Sequence, residues 1–214
     1  MEKKDLPNNI AIFPLSNAIF FPKTVLPLNI FEDRYIQLIN DCMKEKKMFG
    51  MIQPKNKSSR VPEVYQVGCL GKIVNFHETD DKRIIINLSG IIRFKIKKEL
   101  DSKKLYRKFK VDYSEFMHDL KVEKEKEKEK NEERNKLLKN INYFFAKIDY
   151  SIEFNELEKL NFSQLVDTIC MISPFTIEEK QKLIEANQID EKFQILNKII
   201  EFNLFDFLQN KTIQ

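Results

Sequence analysis

The chain has 214 residues, with 42% hydrophobic and 33% charged residues and a formal net charge of +4. That apolar content excludes wholesale disorder, and the length suffices for a core without disulfide staples. No apolar run reaches membrane-spanning length, the start lacks a leader's apolar stretch, and three widely spaced cysteines suit a reducing compartment, so a cytoplasmic protein is expected.

The first half reads as strands. Ile10–Phe13 is a short apolar run stopped by Pro14, and Val25–Ile30 is a second extended run. Pro27 cannot donate to a ladder, which predicts an edge strand or a bulge. Tyr35, Leu38, Ile39, Cys42 and Met43 then form one helical stripe, with Glu32 and Asp33 in its first turn and Lys44, Lys46 and Lys47 near its end. Met48–Gln53 returns as a strand, and residues 54–62 are a polar loop. Glu63–Glu78 is a long strand interrupted by Gly68 and Gly71, where a bulge or a close backbone approach is expected. Arg83–Leu88 and Ile91–Ile96 read as two strands with a bend at Ser89-Gly90. Tyr106–Phe116 alternates with the period of a half-buried strand.

Beyond about residue 120 the period becomes helical. Leu137, Leu138, Ile141, Phe144, Phe145 and Ile148 form one stripe. Asn161 and Gln164 predict a capping box ahead of Phe162–Cys170, with Ser173-Pro174 as the stop; Thr176 and Glu179 predict another. Asp190 is expected to cap a last helix with the stripe Phe193, Leu196, Ile199, Ile200, Leu204, Phe207 and Leu208. Strands followed by helices mean an α+β protein, divided into a β-rich unit, 1–118, and a helical bundle, 119–214. The charge changes sign near the same place. Residues 1–120 hold 22 basic and 15 acidic residues (+7), and residues 121–214 hold 15 and 18 (−3).

Catalytic patterns are missing. Gly71-Lys72 is the only Gly-Lys pair, and the positions a phosphate loop needs are Gln66 and Ile73. There is no GxGxxG, Gly-x-Ser-x-Gly or CxxC. His77, Glu78, Asp80 and Asp81 cluster at a turn, but they lack calcium-loop spacing and read as a solvated hairpin tip. His118 falls at a junction, and the cysteines lie among apolar neighbours. No catalytic residue, metal site or cofactor is expected.

Three segments could bind. Residues 95–110 carry eight basic and two acidic residues, with Tyr106 and Phe109 interleaved. Lys103, Lys104, Arg107 and Lys108 are therefore a candidate nucleic-acid patch, against the plain reading of a lysine-rich edge that resists strand pairing. Residues 121–136 alternate in charge and have no apolar face, as in a solvated linker. Phe20 and Phe21 either fill the core of the β unit or form an exposed patch for a protein partner.

Several segments together resemble the amino-terminal, substrate-binding domain of the ATP-dependent Lon proteases. They are Ile12-Phe-Pro-Leu-Ser-Asn-Ala-Ile-Phe-Phe-Pro22, Leu26-Pro-Leu-Asn-Ile-Phe-Glu-Asp-Arg-Tyr35, Phe49-Gly-Met51, Tyr65–Ile73, Leu88–Phe94 and Glu179–Ala186. The resemblance implies a PUA-like pseudo-barrel followed by a helical bundle. It also implies a non-catalytic module for unfolded or apolar polypeptide segments; the alternative, read from the basic residues of 95–110 and not from the resemblance, is nucleic-acid binding. The motor and Ser/Lys peptidase of that family have no counterpart here, so a stand-alone member is expected. Phe31, Glu32, Arg34 and Tyr35 match the family signature. Their expected roles are scaffold ones: Glu32 favouring the helix start, Arg34 bonding to neighbouring strands, and Phe31 and Tyr35 filling the core.

Overall fold

A computed structural model describes residues 3–55, 62–121 and 130–211. The chain divides into two compact units, one from Met1–Lys121 and Phe175–Ile184, the other from Val122–Pro174 and Glu185–Gln214. The first therefore takes a segment that the sequence pattern groups with the helices of 119–214.

The first unit is a closed sheet with one strand added. Its strands are β1 (Asn9–Pro14), β2 (Val25–Ile30), β3 (Met48–Ile52), β4 (Val67–Glu78), β5 (Ile84–Leu100) and β6 (Arg107–Asp112), with α1 (Asp33–Met43) between β2 and β3. They lie in the order β2-β5-β4-β3-β1-β6, and β5 also pairs with β6, which closes the barrel. β1 and β3 are parallel, whereas the other pairings are antiparallel. Among the described residues β2 pairs with β5 alone, so of the two expected settings for Pro27, an edge or a bulge, it stands in an edge strand.

The expected pair of strands around Ser89-Gly90 is one 17-residue strand, β5. Gly90 keeps the ladder running: its N–H reaches Thr24 O at 2.9 Å and its carbonyl accepts from Lys23 N at 2.9 Å. A Cβ there would lie 1.9 Å from the Phe21 carbonyl oxygen, so glycine admits a close backbone approach. The last strand stops at Asp112, short of the expected Phe116, because residues Ser114–Leu120 turn into a 3₁₀ helix that buries Phe116.

Helix α5 (Ile177–Glu185) begins with the expected box: Glu179 N donates to Thr176 Oγ1 at 3.2 Å, and Thr176 N to Glu179 Oε2 at 2.8 Å. Buried polar groups fix it to the barrel. Gln53 Nε2 donates to Ile177 O and Gln181 Oε1, Gln181 Nε2 to Val67 O, and Lys180 Nζ to Asn17 O at 2.7 Å. Arg93, only 2% exposed, donates to Ile184 O at 3.1 Å and holds Asp119 through its Nε at 3.0 Å and Nη2 at 2.8 Å. His118 Nε2 lies 3.0 Å from the same guanidinium, and the Phe116 ring lies 4.6 Å from it.

The second unit contains α2 (Asn131–Lys147), α3 (Phe154–Glu158), α4 (Phe162–Ile172) and α6 (Ile189–Lys211). Leu137, Ile141, Phe144 and Phe145 bury the stripe of α2, and Leu165, Val166, Ile169 and Cys170 that of α4. The Asn161–Gln164 box is formed, and Ser173 ends α4. Helix α6 starts at Ile189, so Asp190 lies in its first turn rather than at its cap, paired with Lys130. A buried ion pair, Lys192 to Asp167 at 2.5 Å, joins α6 to α4. Within the alternating run 121–136, residues 122–129 lie outside the described residues.

Candidate functional site: an open groove beside the start of α1

The signature residues gather where β1 ends, β2 ends and α1 begins. In β2 the side chains of Leu28 and Ile30 point inward. Strand alternation then turns Phe31 outward, and it is 66% exposed rather than in the core as expected. Tyr35, one turn into α1, is buried as expected. Its ring stacks on Phe13 at 4.1 Å, its hydroxyl reaches Pro14 O at 3.4 Å, and burial raises its pKa.

Arg34 does not bond to the neighbouring strands. Its guanidinium holds Glu32 at 2.8 and 2.9 Å and lies over the Tyr35 ring at 4.5 Å. Glu32 occupies the N-cap position, but its side chain makes no capping bond, because the carboxylate is engaged by Arg34.

Around these residues lie two adjoining open depressions of about 310 and 410 Å³ that share Pro14, Glu32, Arg34, Tyr35 and Pro62. The first is completed by β1 and β2 residues, among them Phe13, Asn29 and Phe31. The second runs toward Leu105, Tyr106 and Arg107. Leu105 is 63% exposed, so an apolar side chain stands at each end of the groove. The hairpin loop carrying Leu105 is held against α1. Leu105 N donates to Gln37 Oε1 at 2.8 Å, and Tyr106 Oη and Lys104 Nζ both reach Asp41 at 2.9 Å. Those hydrogen bonds lower the Asp41 pKa, while burial and then the Asp41 bond raise that of Tyr106.

The basic hairpin is less free than its composition suggests. Arg107 forks onto Glu99 at 2.7 and 2.8 Å, a bond that lowers the Glu99 pKa, and donates to Pro62 O at 2.6 Å. Lys104 meets Asp41, Lys95 meets Glu115 at 3.0 Å, and Lys97 meets Asp112 at 3.3 Å. Lys103 is exposed, and the Lys108 ammonium lies 5.8 Å from the Tyr106 ring. Half of the eight basic side chains in 95–110 thus face a carboxylate, which reduces what they offer to phosphates.

Phe20 and Phe21 are 1% and 0% exposed. The exposed-patch expectation for them is corrected: they lie inside the β unit, where Phe20 packs against the position of Gly71 and the Phe21 carbonyl abuts Gly90. Asp81, at the acidic tip, is tied by Arg83 and Thr79, and no group of three metal-ligating side chains occurs among the described residues. Cys42, Cys69 and Cys170 are buried, and burial pushes the Cys42 thiol up to about 12. Composition concealed the contribution of Leu105 and of Pro62; the only signal for Leu105 was an apolar residue amid lysines.

The family model for the ATP-dependent protease La (LON) substrate-binding domain matches residues 9–201. The Lon protease of Cytophaga hutchinsonii is 26% identical over 94% of this chain and 25% of its own length. That of Malacoplasma penetrans is 29% identical over 86% of this chain and 24% of its own. The chain thus spans about a quarter of the curated relatives it matches. Among solved structures, a Lon N-terminal domain protein from Xanthomonas campestris has a TM-score of 0.61 at 17% identity, covering 88% of this chain and 97% of that one. The N-terminal domain of Mycobacterium avium complex Lon protease has a TM-score of 0.62 at 16% identity, covering 90% and 98%. These two share the fold, a pseudo-barrel with helices; the match over residues 9–201 makes the chain a member of the Lon substrate-binding domain family.

Proposed function

We propose that this protein is a non-catalytic module that binds other polypeptides, and that the groove beside the start of α1 receives apolar segments exposed in unfolded chains. The observation that carries the reading is Phe31, exposed in the middle of the family signature while Tyr35 of the same signature is buried. A large exposed aromatic beside a concave wall that mixes apolar side chains with a few polar ones suits a binding surface. Phe31 and Leu105 are free to bury area against a partner, whereas Phe20 and Phe21 already bury theirs within the protein. Family membership supports a polypeptide as the partner and a cytoplasmic setting.

The test is titration of reduced, carboxymethylated lactalbumin, an unfolded chain, into the protein and its Phe31→Ser/Leu105→Ser variant. Both side chains are exposed, so the variant is expected to keep its circular dichroism and melting temperature. Its affinity should fall at least tenfold. Equal affinity would remove the groove as the binding surface. Binding that instead weakens on Lys103→Glu/Lys108→Glu and vanishes with added salt would move the site to the basic hairpin.

A further inference from the structure

The backbone around the groove specifies how a segment would lie in it. Gly90 N donates to Thr24 O at 2.9 Å. The register runs Val25↔Ser89, Leu26↔Leu88, Pro27↔Asn87, Leu28↔Ile86 and Asn29↔Ile85. Antiparallel pairs alternate between bonded and non-bonded, so Leu26, Leu28 and Ile30 bond to β5 while Val25, Pro27 and Asn29 turn their backbone groups to the open edge of β2. Pro27 has no N–H to offer there. This interrupts the edge and guards it against pairing along its length. Asn29, two residues on, presents both an N–H and a C=O, and it lines the first depression beside Phe31. Among the described residues, no strand pairs with that side of β2.

Charge narrows the occupant further. In the first depression, where Asn29 lies, the charged side chains of the wall are Arg34 and Glu32, and they are matched to one another. A charged side chain entering there would compete with a pair already made, so the complementary occupant is uncharged.

We propose that an extended, uncharged stretch of polypeptide enters the groove as a short added strand, exchanging backbone hydrogen bonds with the N–H and C=O of Asn29 and placing one apolar side chain against Phe31. The proposal rests on the groove reading above and adds its mode of recognition. Backbone pairing reads no sequence, so one site of this kind accepts many unfolded chains that share only an apolar residue in extended conformation.

The probe is the capped peptide Ser-Leu-Ser-Phe-Ser-Leu-Ser, titrated into the ¹⁵N-labelled protein and followed by amide spectra. Each peptide amide is N-methylated in turn, and Ser→Glu and Ser→Lys versions are compared. One amide, or two at most, is expected to be intolerant, its methylation weakening binding tenfold or more, while the others change it less than threefold. The Asn29 amide should move downfield and gain exchange protection. Both charged peptides should bind at least fivefold more weakly. Asn29→Pro removes only an outward N–H, as Pro27 already does, so it should keep the melting temperature and lose about the same affinity as the critical methylation.

If Phe31→Ser abolishes binding but no methylation or Asn29→Pro matters, the groove reading stands and strand addition is overturned. If methylation matters but Phe31→Ser does not, and Asn29 is silent, a strand adds elsewhere and both readings fall. A peptide that does not bind at millimolar concentration also overturns both.

Discussion

Phe31 and Phe21 show how little residue type decides by itself. Both follow a large apolar residue, Ile30 and Phe20, yet one is exposed and the other wholly buried. Phe21 has its backbone against Gly90, while Phe31 follows the last inward residue of β2 and falls on the outer face. Phe21→Ala should therefore act on stability, by about 3–5 kcal/mol as for other large core truncations, and chemical denaturation would measure it. A loss below about 1 kcal/mol would contradict the burial.

Asp41 gives a pH-dependent prediction. Hydrogen bonds from Lys104 and Tyr106 hold its folded pKa below the ordinary 3.8. A depressed carboxylate stabilises the fold above its unfolded pKa, and that contribution is lost as pH falls through the folded pKa. The pair is near the surface and screened, so Asp41→Asn should cost at most about 1 kcal/mol at pH 7. The gap between the two proteins should close below about pH 4 in a series of denaturation curves. A gap that widens toward acid would reverse the assignment.

At the scale of elements, the attachment of α5 depends on polar groups that no amphipathic stripe reveals. Arg93 joins β5, the 3₁₀ segment Ser114–Leu120 and the end of α5 through Asp119 and Ile184 O. Its charge is affordable in the interior only because Asp119 is there to meet it. Removing one partner strands the other without water, so Arg93→Met should destabilise by about 3–5 kcal/mol. Arg93→Met/Asp119→Leu removes both charges and should recover most of that loss. If the double variant is as unstable as the sum of the singles, the two groups do not act as a pair.

For the molecule as a whole, two units mean two cores, and the chain order of the helices does not match their allegiance. Segment Phe175–Ile184 belongs with the barrel although helices precede and follow it. We propose that the units unfold as separate cooperative blocks. Native-state hydrogen exchange should then show α5 amides losing protection with β4 and β5, at the same denaturant concentration. Amides of α2, α4 and α6 should follow their own common curve. Protection of α5 that tracks α4 instead would assign it to the helical bundle.

Local signals carried much of this protein. Period two and period 3.6 separated strands from helices, Pro27 announced an edge or a bulge, and Asn161 with Gln164 and Thr176 with Glu179 announced helix starts, because each depends on neighbours within four residues. Ordered motifs from Ile12 to Ala186 carry the family resemblance by themselves. The groove required tertiary structure: Phe31, Arg34 and Leu105 are brought together by the end of β2, the first turn of α1 and a hairpin some seventy residues later. So did the fate of the basic hairpin, whose Lys95, Lys97 and Lys104 looked free until folding set Glu115, Asp112 and Asp41 beside them. Local propensity writes which element forms, but exposure and charge compensation depend on residues distant in the chain, and only the packed fold selects which of them meet.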